Sequence, residues 1–438
     1  MGQLLAGVAR ANITPPVGIP MVGFAGRGPA EGVHDDLFAT TLALEAEGQR
    51  ALIITVDLIG VGERFTTEVR DEIARRTEVA PSNVLICASH THYGPDTGAY
   101  ASDGVPGDVA AYVANLKFLL AGAALAALAQ MQPVRVGFGQ GASHIGINRR
   151  ERRPDGQIVL GQNPEGACDR EMRLIRLDTT EGQPLAALVN FACHPVSAAH
   201  AMRLISADYI GTMRMLVEMF TGATCLFLQG AAGNINPIEM RHSMEPARRL
   251  GVMLGGEVAK VFEGTSTAEA EGLAAATARL ELPAMIFNSL EEGERTVSEL
   301  RANLERVRAE GASGGSLWWA ESRLQRAERM LASLQGGPSL PPIPAELNAL
   351  RFGDVALVTA PGEIFTETGM EVKRRSPLPR TCYVAYTNGT IGYVPIPAAY
   401  PEGGYEVTHA CRVGPQAAGM IAETSLMLLQ QVAGSQVK

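Results

Sequence analysis

Short apolar runs that end in glycine, proline or polar residues alternate along the chain with longer alanine-rich stretches. The apolar runs predict strands at Ala51–Leu58, Asn83–Ala88, Pro133–Gly139, Leu174–Asp178, Leu188–Ala192, Cys225–Gln229, Val355–Thr359 and Cys382–Thr387. Helices are predicted at Thr66–Arg76, Val109–Met131 and Ser425–Val432. This alternation of strands and helices predicts an α/β protein in which helices flank a mixed β-sheet core.

Residues 286–335 follow a different pattern, because apolar residues recur at helical spacing on both sides of a turn at Gly311–Ser316. Ser289 and Glu292 form a capping-box pattern at the start of the first helix. The recurring apolar positions are Leu290, Val297, Leu300, Leu304 and Val307, then Leu317, Leu324, Leu331 and Leu334. We predict a helical hairpin at 286–336, inserted into a single α/β catalytic domain formed by 1–285 and 337–438. We interpret the hairpin either as a structural element that packs on its own domain, or as a dimer contact or a lid over a site.

The composition excludes several classes of protein. Hydrophobic residues make up 46% of the chain and charged residues 19%, which excludes a disordered, collagen-like or coiled-coil protein. The net charge is −9 and no basic run stands out, so we expect no nucleic-acid partner. The longest apolar run, Phe118–Ala129, is shorter than the roughly 18–20 residues that span a bilayer, so it predicts a buried helix and no transmembrane segment.

The cysteines and the first residues of the chain indicate the cellular location. Six cysteines lie far apart without a CxxC pair, so no disulfide framework is predicted. The opening residues MGQLLAGVAR contain no apolar core of a signal peptide. We therefore expect a cytoplasmic protein.

The segment most indicative of chemistry joins a predicted strand to two histidines. His90 and His92 follow the strand that ends at Ala88, and a strand period of two places both on one side. The ends of strands are where α/β proteins build their sites. A His-x-His pair at this place is typical of metal ligands, although two turn histidines that cap backbone groups would give the same pattern.

Three further predicted strands run into residues that could bind the same cation. His194 follows Leu188–Ala192, Glu363 follows Val355–Thr359, and Tyr393 follows the last predicted strand. Two histidines and one carboxylate form a catalytic zinc set that leaves a position open for water or substrate. A tyrosine is an unusual ligand, and Tyr393 is equally consistent with a core aromatic residue.

Other candidates lie in loops. Gly230 and Gly233 in the loop Gln229–Pro237 can expose backbone N–H groups to a substrate oxygen, or form an ordinary turn. Arg149, predicted in a loop after His144, is interpreted as a carbonyl-binding or a solvated arginine. Asp57, at the end of a strand, is a candidate to orient a ligand histidine.

Taken together, these segments resemble the catalytic domain of the neutral/alkaline non-lysosomal ceramidase family, in order along nearly all of the chain. The matching segments are Val8–Pro15, Gly32–His34, Val56-Asp57, Ser89–Pro95, Ile147–Arg149, Asn190–His194, Ser206–Asp208, Gly233–Pro237, Pro361–Glu363 and Gly392-Tyr393.

The resemblance implies a zinc hydrolase of N-acyl amide bonds. Carried over residue by residue, it implies one Zn²⁺ on His90, His194, Glu363 and Tyr393. It also implies that His92 and Arg149 contact the reacting part of the substrate. His34, Asp57, Gly233 and Asn234 lie in or next to matching segments and are taken as supporting or substrate-binding residues.

The chain departs from the family at one decisive position. The family has a catalytic serine before proline in a G-D-x-S-P loop, whereas this chain has Asn236 before Pro237. An amide cannot act as the nucleophile, but it can donate to a developing oxyanion or position water. The family's secreted members also carry a signal peptide and a C-terminal β-sandwich, which this sequence does not show, so a ceramide substrate is not implied.

We therefore predict a zinc-dependent hydrolase that uses metal-activated water to cleave an amide bond of a small acyl substrate. His92, Arg149 and Asn236 are the predicted catalytic residues. The alternatives are a metal-dependent esterase or lactonase, a catalytically silent ligand-binding relative, and an interaction protein whose hairpin at 286–336 is the functional part. The same hairpin is a candidate contact for a homo-oligomer.

Overall fold

The computed structural model describes residues 2–99, 107, 109–311 and 315–434. The helices are α1 (Glu63–Ala74), α2 (Ala110–Ala129), α3 (Tyr209–Thr221), α4 (Glu245–Gly264), α5 (Leu290–Ala309), α6 (Gly315–Leu334), α7 (Thr366–Arg375), α8 (Ala399–Glu402), α9 (Tyr405–Thr408) and α10 (Ala417–Gly434). The first strands are β1 (Leu5–Asn12), β2 (Gly32–Val33), β3 (Phe38–Ala46), β4 (Gln49–Val56), β5 (Val84–Ala88), β6 (Gln132–Ala142), β7 (Gly146–Arg152), β8 (Ile158–Asn163), β9 (Glu171–Thr179) and β10 (Pro184–Phe191). The remaining strands are β11 (Leu204–Ile205), β12 (Thr224–Gln229), β13 (Ile235–Pro237), β14 (Ala268–Glu269), β15 (Leu273–Leu282), β16 (Ile343–Phe352), β17 (Val355–Thr359), β18 (Glu363–Ile364), β19 (Thr381–Val384) and β20 (Tyr393–Val394).

Two sheets pack against each other through their apolar faces. The larger has the strand order β12-β10-β9-β6-β1-β3-β4-β5, with β14 beside β6, and the smaller has the order β15-β16-β17-β19. Antiparallel pairs such as β1·β3 occur beside the parallel pairs β4·β5, β10·β12 and β17·β19, so both sheets are mixed. One buried core joins the two sheets. It contains Leu42 and Ile53 of the larger sheet and Phe352, Leu357 and Val384 of the smaller sheet.

Helices cover the outer faces of both sheets. Helix α2 contacts β1 and β3, α4 contacts β6 and β9, and α10 contacts β15 and β16. The apolar faces of these helices join the buried cores beneath them, as Leu116, Leu254 and Leu428 illustrate. The predicted fold class, a mixed β-sheet core flanked by helices, is confirmed.

Helix α2 is longer than the apolar run that the sequence pattern singled out. In the described part of the chain it is the one helix whose length and apolarity would suffice to cross a membrane, and 39% of that window is buried within the fold. Val113, Leu116 and Leu120 are buried against the sheet. A core helix meets the same criterion, so the helix by itself is weak support for a membrane span.

The two helices of the predicted hairpin, α5 and α6, pack against each other. Ser289 caps α5 by accepting a hydrogen bond from the backbone N–H of Glu292 at 3.1 Å. Val297 and Leu304 of α5 share a small buried core with Leu324 of α6. Leu290, in contrast, is 46% exposed and lies outside this core. Residues 312–314 of the predicted turn lie outside the described residues.

The carboxyl ends of several strands meet at one place, which positions the candidate site. After β19, the Ala385 N–H donates to the carbonyl of Gln229 at the end of β12, at 2.9 Å. The Ala88 N–H at the end of β5 donates to the Tyr386 carbonyl at 3.1 Å. Loops after β5, β10, β12, β17 and β19 therefore converge, although they come from distant parts of the sequence.

Candidate active site

Three histidine rings converge in the interior where these loops meet. The Nε2 atoms of His90 and His194 are 3.2 Å apart, and the Nε2 atom of His92 is 3.3 Å from that of His90. His90 and His194 are buried, whereas His92 is half-buried at the outer side. One ligand atom from each of the three rings lies within 4.8 Å of the other two, a spacing that suits a shared metal ion.

The backbone determines which nitrogen of each ring carries a hydrogen. The Nδ1 atom of His90 is 2.6 Å from the Ile59 carbonyl, and that of His194 is 2.7 Å from the Ala232 carbonyl. The Nδ1 atom of His92 is 3.1 Å from the carbonyl of Gly23. Because a carbonyl only accepts, each Nδ1 donates, and the neutral rings present bare Nε2 lone pairs to one another. Such lone pairs repel at these distances unless a cation lies between them.

Glu363 completes a compact triangle with two of these rings. Its Oε2 atom is 3.2 Å from Nε2 of His194 and 3.4 Å from Nε2 of His90. A tetrahedral zinc ion with bonds of about 2.0–2.1 Å places its ligands about 3.3–3.4 Å apart. The three side-chain atoms therefore already have the separations of one face of a zinc tetrahedron.

The electrostatics match the protonation states that a metal requires. Burial lowers the pKa of His194 to about 4, and the neighbouring Arg149 acts in the same direction. Burial also lowers the pKa of His92 well below its usual range, with His90 and His194 adding to the effect. Burial alone would raise the pKa of Glu363, but the two adjacent imidazoles hold it well below its usual range. Neutral histidines and an ionised carboxylate are the ligand forms that bind metal.

Backbone conformation brings His90 to this point. Strand β5 ends at Ala88, and His90 lies beyond it with a φ of 68°, in the left-handed region that few residues other than glycine adopt. The His90 ring lies 4.2 Å from the ring of Tyr386, whose φ is also positive at 54°. The two histidines therefore meet through a turn rather than through the strand period that the sequence suggested. Strained backbone of this kind is concentrated at functional sites.

Tyr393 and Arg149 lie beside the triangle. Strand β20 begins at Tyr393 and pairs in parallel with Glu363 of β18. The Tyr393 side chain is buried, and burial raises the pKa of its hydroxyl well above its usual range, despite the opposing effect of the nearby positive charge of Arg149. The guanidinium carbon of Arg149 is 5.3 Å from the centre of the Tyr393 ring.

Arg149 lies in a strand, not in the loop that the sequence analysis predicted. It belongs to β7, which pairs with β13, the strand that carries Asn236. Nε of Arg149 donates to Glu406 at 2.7 Å and Nη1 donates to Oδ1 of Asn236 at 3.1 Å. Its third nitrogen, Nη2, is buried and has no hydrogen-bond acceptor among the described residues. Although burial lowers it, the pKa of Arg149 is held above its usual value by Tyr393 and Glu406.

The glycine-rich loop supports Glu363 rather than presenting an open turn. The Gly233 N–H donates to the Ile364 carbonyl at 2.8 Å, and an added Cβ at Gly233 would lie 2.4 Å from the Glu363 carbonyl oxygen. Asn234 is fully buried, and its side chain accepts from the Thr366 N–H at 2.9 Å. Asn236 faces Arg149 through Oδ1 and the Met240 sulfur through its amide nitrogen.

Two predicted supporting residues have other partners. Asp57 is buried and accepts from Arg214 at 2.7 Å and from the Phe38 N–H at 2.9 Å, so backbone carbonyls orient the histidines instead. His34 is exposed, and its Nδ1 atom lies 2.6 Å from Asp35. His34 contacts Asp35 through its ring and the Ile205 carbonyl through its backbone N–H, so it does not belong to the imidazole cluster.

Four residues that the sequence analysis did not select belong to this region. Gln229 is fully buried and donates to the carbonyls of Ser89 and Cys193, which immediately precede His90 and His194. The others are Tyr386 under His90, Tyr405 with its ring centre 5.7 Å from that of Tyr393, and Glu406 on Arg149. In the sequence, the only signal that could have selected these residues is their position. Gln229 and Tyr386 lie at the ends of predicted strands, and Tyr405 and Glu406 follow the Gly392-Tyr393 segment.

Comparison with known proteins identifies related sequences. The model of the neutral/alkaline non-lysosomal ceramidase N-terminal family matches residues 4–226, about half of the chain. Neutral ceramidase A from Dictyostelium discoideum is 29% identical over 215 residues, which is 45% of this chain and 29% of that protein's length.

Two solved structures share the fold. Neutral ceramidase from Pseudomonas aeruginosa gives a TM-score of 0.75 at 19% identity, over 99% of this chain and 75% of that one. A ceramidase complexed with C2 gives a TM-score of 0.76 at 18% identity, over 99% and 76%. At these identities the likeness shows the fold, and the family model adds the sequence relationship. This chain belongs to the neutral/alkaline non-lysosomal ceramidase family.

Proposed function

We propose that this protein is a zinc-dependent hydrolase that cleaves an N-acyl amide bond of a small molecule. The observation that carries the proposal is the triangle of His90 Nε2, His194 Nε2 and Glu363 Oε2, whose sides are 3.2–3.4 Å. Family membership supports amide cleavage, because the similar proteins are named ceramidases.

The donor set fits zinc. Imidazole nitrogens together with a carboxylate favour Zn²⁺ over Mg²⁺ or Ca²⁺, which prefer oxygen ligands. His90, His194 and Glu363 would hold the ion, with the hydroxyl of Tyr393 as a further ligand. A zinc ion, when bound, supplies a Lewis acid that polarises a carbonyl and makes water more acidic.

Arg149 would bind the oxygen of the scissile carbonyl. Glu406 and Asn236 occupy two of its nitrogens, so the guanidinium is held in one orientation while buried Nη2 keeps an unused N–H. A charged donor that is fixed before the reaction stabilises developing negative charge in a buried site.

His92 would move the proton. Its Nδ1–H is held by the Gly23 carbonyl, which leaves Nε2 free to accept, and its lowered pKa keeps the ring neutral at neutral pH. A half-buried neutral imidazole next to the triangle is suited to take a proton from water and return it to the leaving amine.

Asn236 cannot attack the carbonyl, so in this proposal water is the nucleophile. Its carbonyl oxygen accepts from Arg149, and it would therefore act by orienting Arg149 and the bound substrate. The same residue favours a second candidate, a relative that binds its ligand without turnover, because it stands where the family has serine.

Metal analysis and a substrate panel test the proposal. Purified wild-type protein should contain about one zinc per chain, and His90→Ala should lose both metal and activity. His200→Ala is the matched control, because this exposed histidine contacts His242 instead of the cluster. Matched amides, esters and lactones then separate amide hydrolysis from esterase or lactonase activity. Protein without stoichiometric divalent metal would refute the zinc site, and bound zinc without turnover of any of these compounds would favour the ligand-binding relative.

A cytoplasmic location and self-association through residues 286–336 also remain predictions. Sedimentation of the full chain beside a variant with this hairpin shortened would test self-association, and a monomeric wild type would refute it.

A further inference from the structure

Four arginines gather where α6 of the hairpin packs against the segment 405–412, next to the candidate active site. They are Arg323, Arg326 and Arg329 of α6, and Arg412. We propose that this arginine cluster binds an anionic group of the substrate, a carboxylate or a phosphate, at a distance from the scissile amide. The proposal deepens the proposed function, because it names the substrate class, and to that extent it rests on it.

Contacts with the backbone tie the cluster to the candidate ligand Tyr393. Arg326 donates to the carbonyls of His409 at 3.0 Å and Cys411 at 2.8 Å. The next carbonyl on this segment, that of Ala410, accepts from the Tyr393 N–H at 3.3 Å. The side chain of Arg412 passes Gly392, where an added Cβ would lie 3.9 Å from Arg412 Cδ. The cluster therefore lies directly behind the chain segment that presents Tyr393.

The positive charge of the cluster has no counter-charge in the described chain. No carboxylate of the described residues lies within 4.0 Å of a nitrogen of any of these four guanidiniums. Nε of Arg323 is buried and has no hydrogen-bond acceptor there. Burial lowers the pKa of Arg323, Arg326 and Arg412, and for Arg326 the other three arginines lower it further. A partly buried cation without a partner is unfavourable, and a bound anion removes that cost.

The arginines elsewhere on the hairpin show that pairing is readily available. Arg301 pairs with Glu328 at 2.7 Å, and Arg308 pairs with Glu321 at 2.7 Å. The whole chain carries a net charge of −9, so acidic side chains are in excess. A group of arginines without acidic neighbours in such a chain is suited to an external anion.

The cluster is accessible and is connected to the reaction centre. Arg329 and Arg412 are exposed, while Arg323 and Arg326 are partly buried. The ring of His409 stacks on Tyr405 at 5.3 Å, and Tyr405 lies 5.7 Å from Tyr393.

A cleft lies beside these rings. It has a volume of about 500 Å³, and its lining includes Ile158, Leu160, Glu402, Tyr405 and His409. An N-acyl compound could thus lie along the aromatic pair, with its amide at the triangle and an anionic end at the arginines.

Binding of inorganic phosphate tests the site without any need for turnover. Thermal unfolding of the full-length protein would be followed against sodium phosphate, with sodium chloride at matched ionic strength as the reference. The double variant R323Q/R412Q removes two guanidiniums but leaves Arg326 on its carbonyls. R301Q/R308Q removes the same number of positive charges, at two hairpin arginines that are paired with glutamates.

We expect saturable stabilisation of the wild type and of R301Q/R308Q, and at least about tenfold weaker binding by R323Q/R412Q, as the loss of charged hydrogen bonds implies. Absence of a phosphate effect in the wild type, or an equal effect in both double variants, would overturn the site.

Paired substrates test whether the anion belongs to the substrate. Each pair contrasts a carboxylate with the neutral carboxamide of the same shape, once on the amine side (an N-acylglycine and its amide) and once on the acyl side. For the preferred carboxylate we expect R323Q/R412Q to raise KM about tenfold to a hundredfold, with kcat and the neutral partner nearly unchanged.

Equal losses on both members of a pair would show a structural role and contradict substrate recognition. Phosphate binding that is lost in R323Q/R412Q without any substrate discrimination would assign the cluster to a separate anion and overturn the substrate assignment. If no compound is hydrolysed by the wild type, the proposed function fails, while the phosphate experiment still decides whether the arginines bind an anion.

Discussion

Replacing Gly233 by alanine is expected to damage the candidate metal site without altering the side chain of any proposed ligand. The added Cβ would lie 2.4 Å from the Glu363 carbonyl oxygen and 2.9 Å from that of Ile364. Both are backbone atoms, and the Gly233 N–H is already bonded to the Ile364 carbonyl at 2.8 Å. No flexible side chain is available to move aside, so the segment that carries Glu363 must shift.

The size of the shift follows from ordinary contact distances. Moving the Glu363 carbonyl from 2.4 Å to van der Waals contact with the new methyl requires a displacement of roughly 1 Å. A displacement of this size is large beside the 3.2 and 3.4 Å that separate Glu363 from His194 and His90. We expect zinc affinity to fall about 10–100-fold and kcat/KM about 10²-fold. The crowding should lower stability by about 1–3 kcal/mol.

Zinc titration with a competing chelator and steady-state kinetics would measure the effect. Gly256→Ala is the control, because this glycine is on α4 and an added Cβ there meets nothing within 4 Å. That variant should keep wild-type zinc affinity and gain up to about 1 kcal/mol of stability. Wild-type zinc affinity and wild-type kcat/KM in Gly233→Ala would refute the reasoning that this glycine holds Glu363 in place.

Three further predictions concern residues whose roles are visible only in the tertiary structure. Glu406→Gln should lower kcat about tenfold or more while the zinc content is kept, because Arg149 loses its charged partner at 2.7 Å. A change in KM alone in steady-state kinetics would contradict this. Gln229→Leu should destabilise the fold by about 2–4 kcal/mol in urea, because the buried Ser89 carbonyl loses its donor and the Cys193 N–H loses its acceptor, whereas the Cys193 carbonyl keeps the Tyr209 hydroxyl. Unchanged stability would be the contrary result. Burial, followed by Arg323 and Arg326, lowers the pKa of His409 to about 4, so between about pH 6.5 and 4 the unfolded chain binds a proton that the folded chain does not. The contribution of His409 to the free energy of unfolding is therefore fully present above about pH 6.5 and is lost as the pH falls towards 4. The loss is about 1–2 kcal/mol, after allowance for the partial exposure of the ring. Unfolding measured at pH 7.5 and 5 should show a smaller loss in His409→Gln, and equal losses would exclude the effect.

Local pattern was sufficient for the fold class and for the candidate ligands. Alternating apolar runs predicted strands that the structure contains, and the boundaries differ by a few residues, as for Val84–Ala88. The hairpin helices were readable because their apolar residues recur at helical spacing, which needs no long-range information. His90 and His194 stood out because each follows a strand, and strand ends of an α/β fold share an edge.

What the tertiary structure alone decided is how those side chains are held and what surrounds them. Asp57 was a reasonable partner for a ligand histidine, yet it pairs with Arg214, because the carbonyls of Ile59 and Ala232 are closer to the rings. Arg149 and Glu406 are 257 residues apart in the chain, and no periodic signal links positions at that separation. Sequence determined the elements and the ligand types through local spacing, whereas protonation states, the orientation of Arg149 and the unpaired arginines arise from packing between distant segments, which local spacing does not encode.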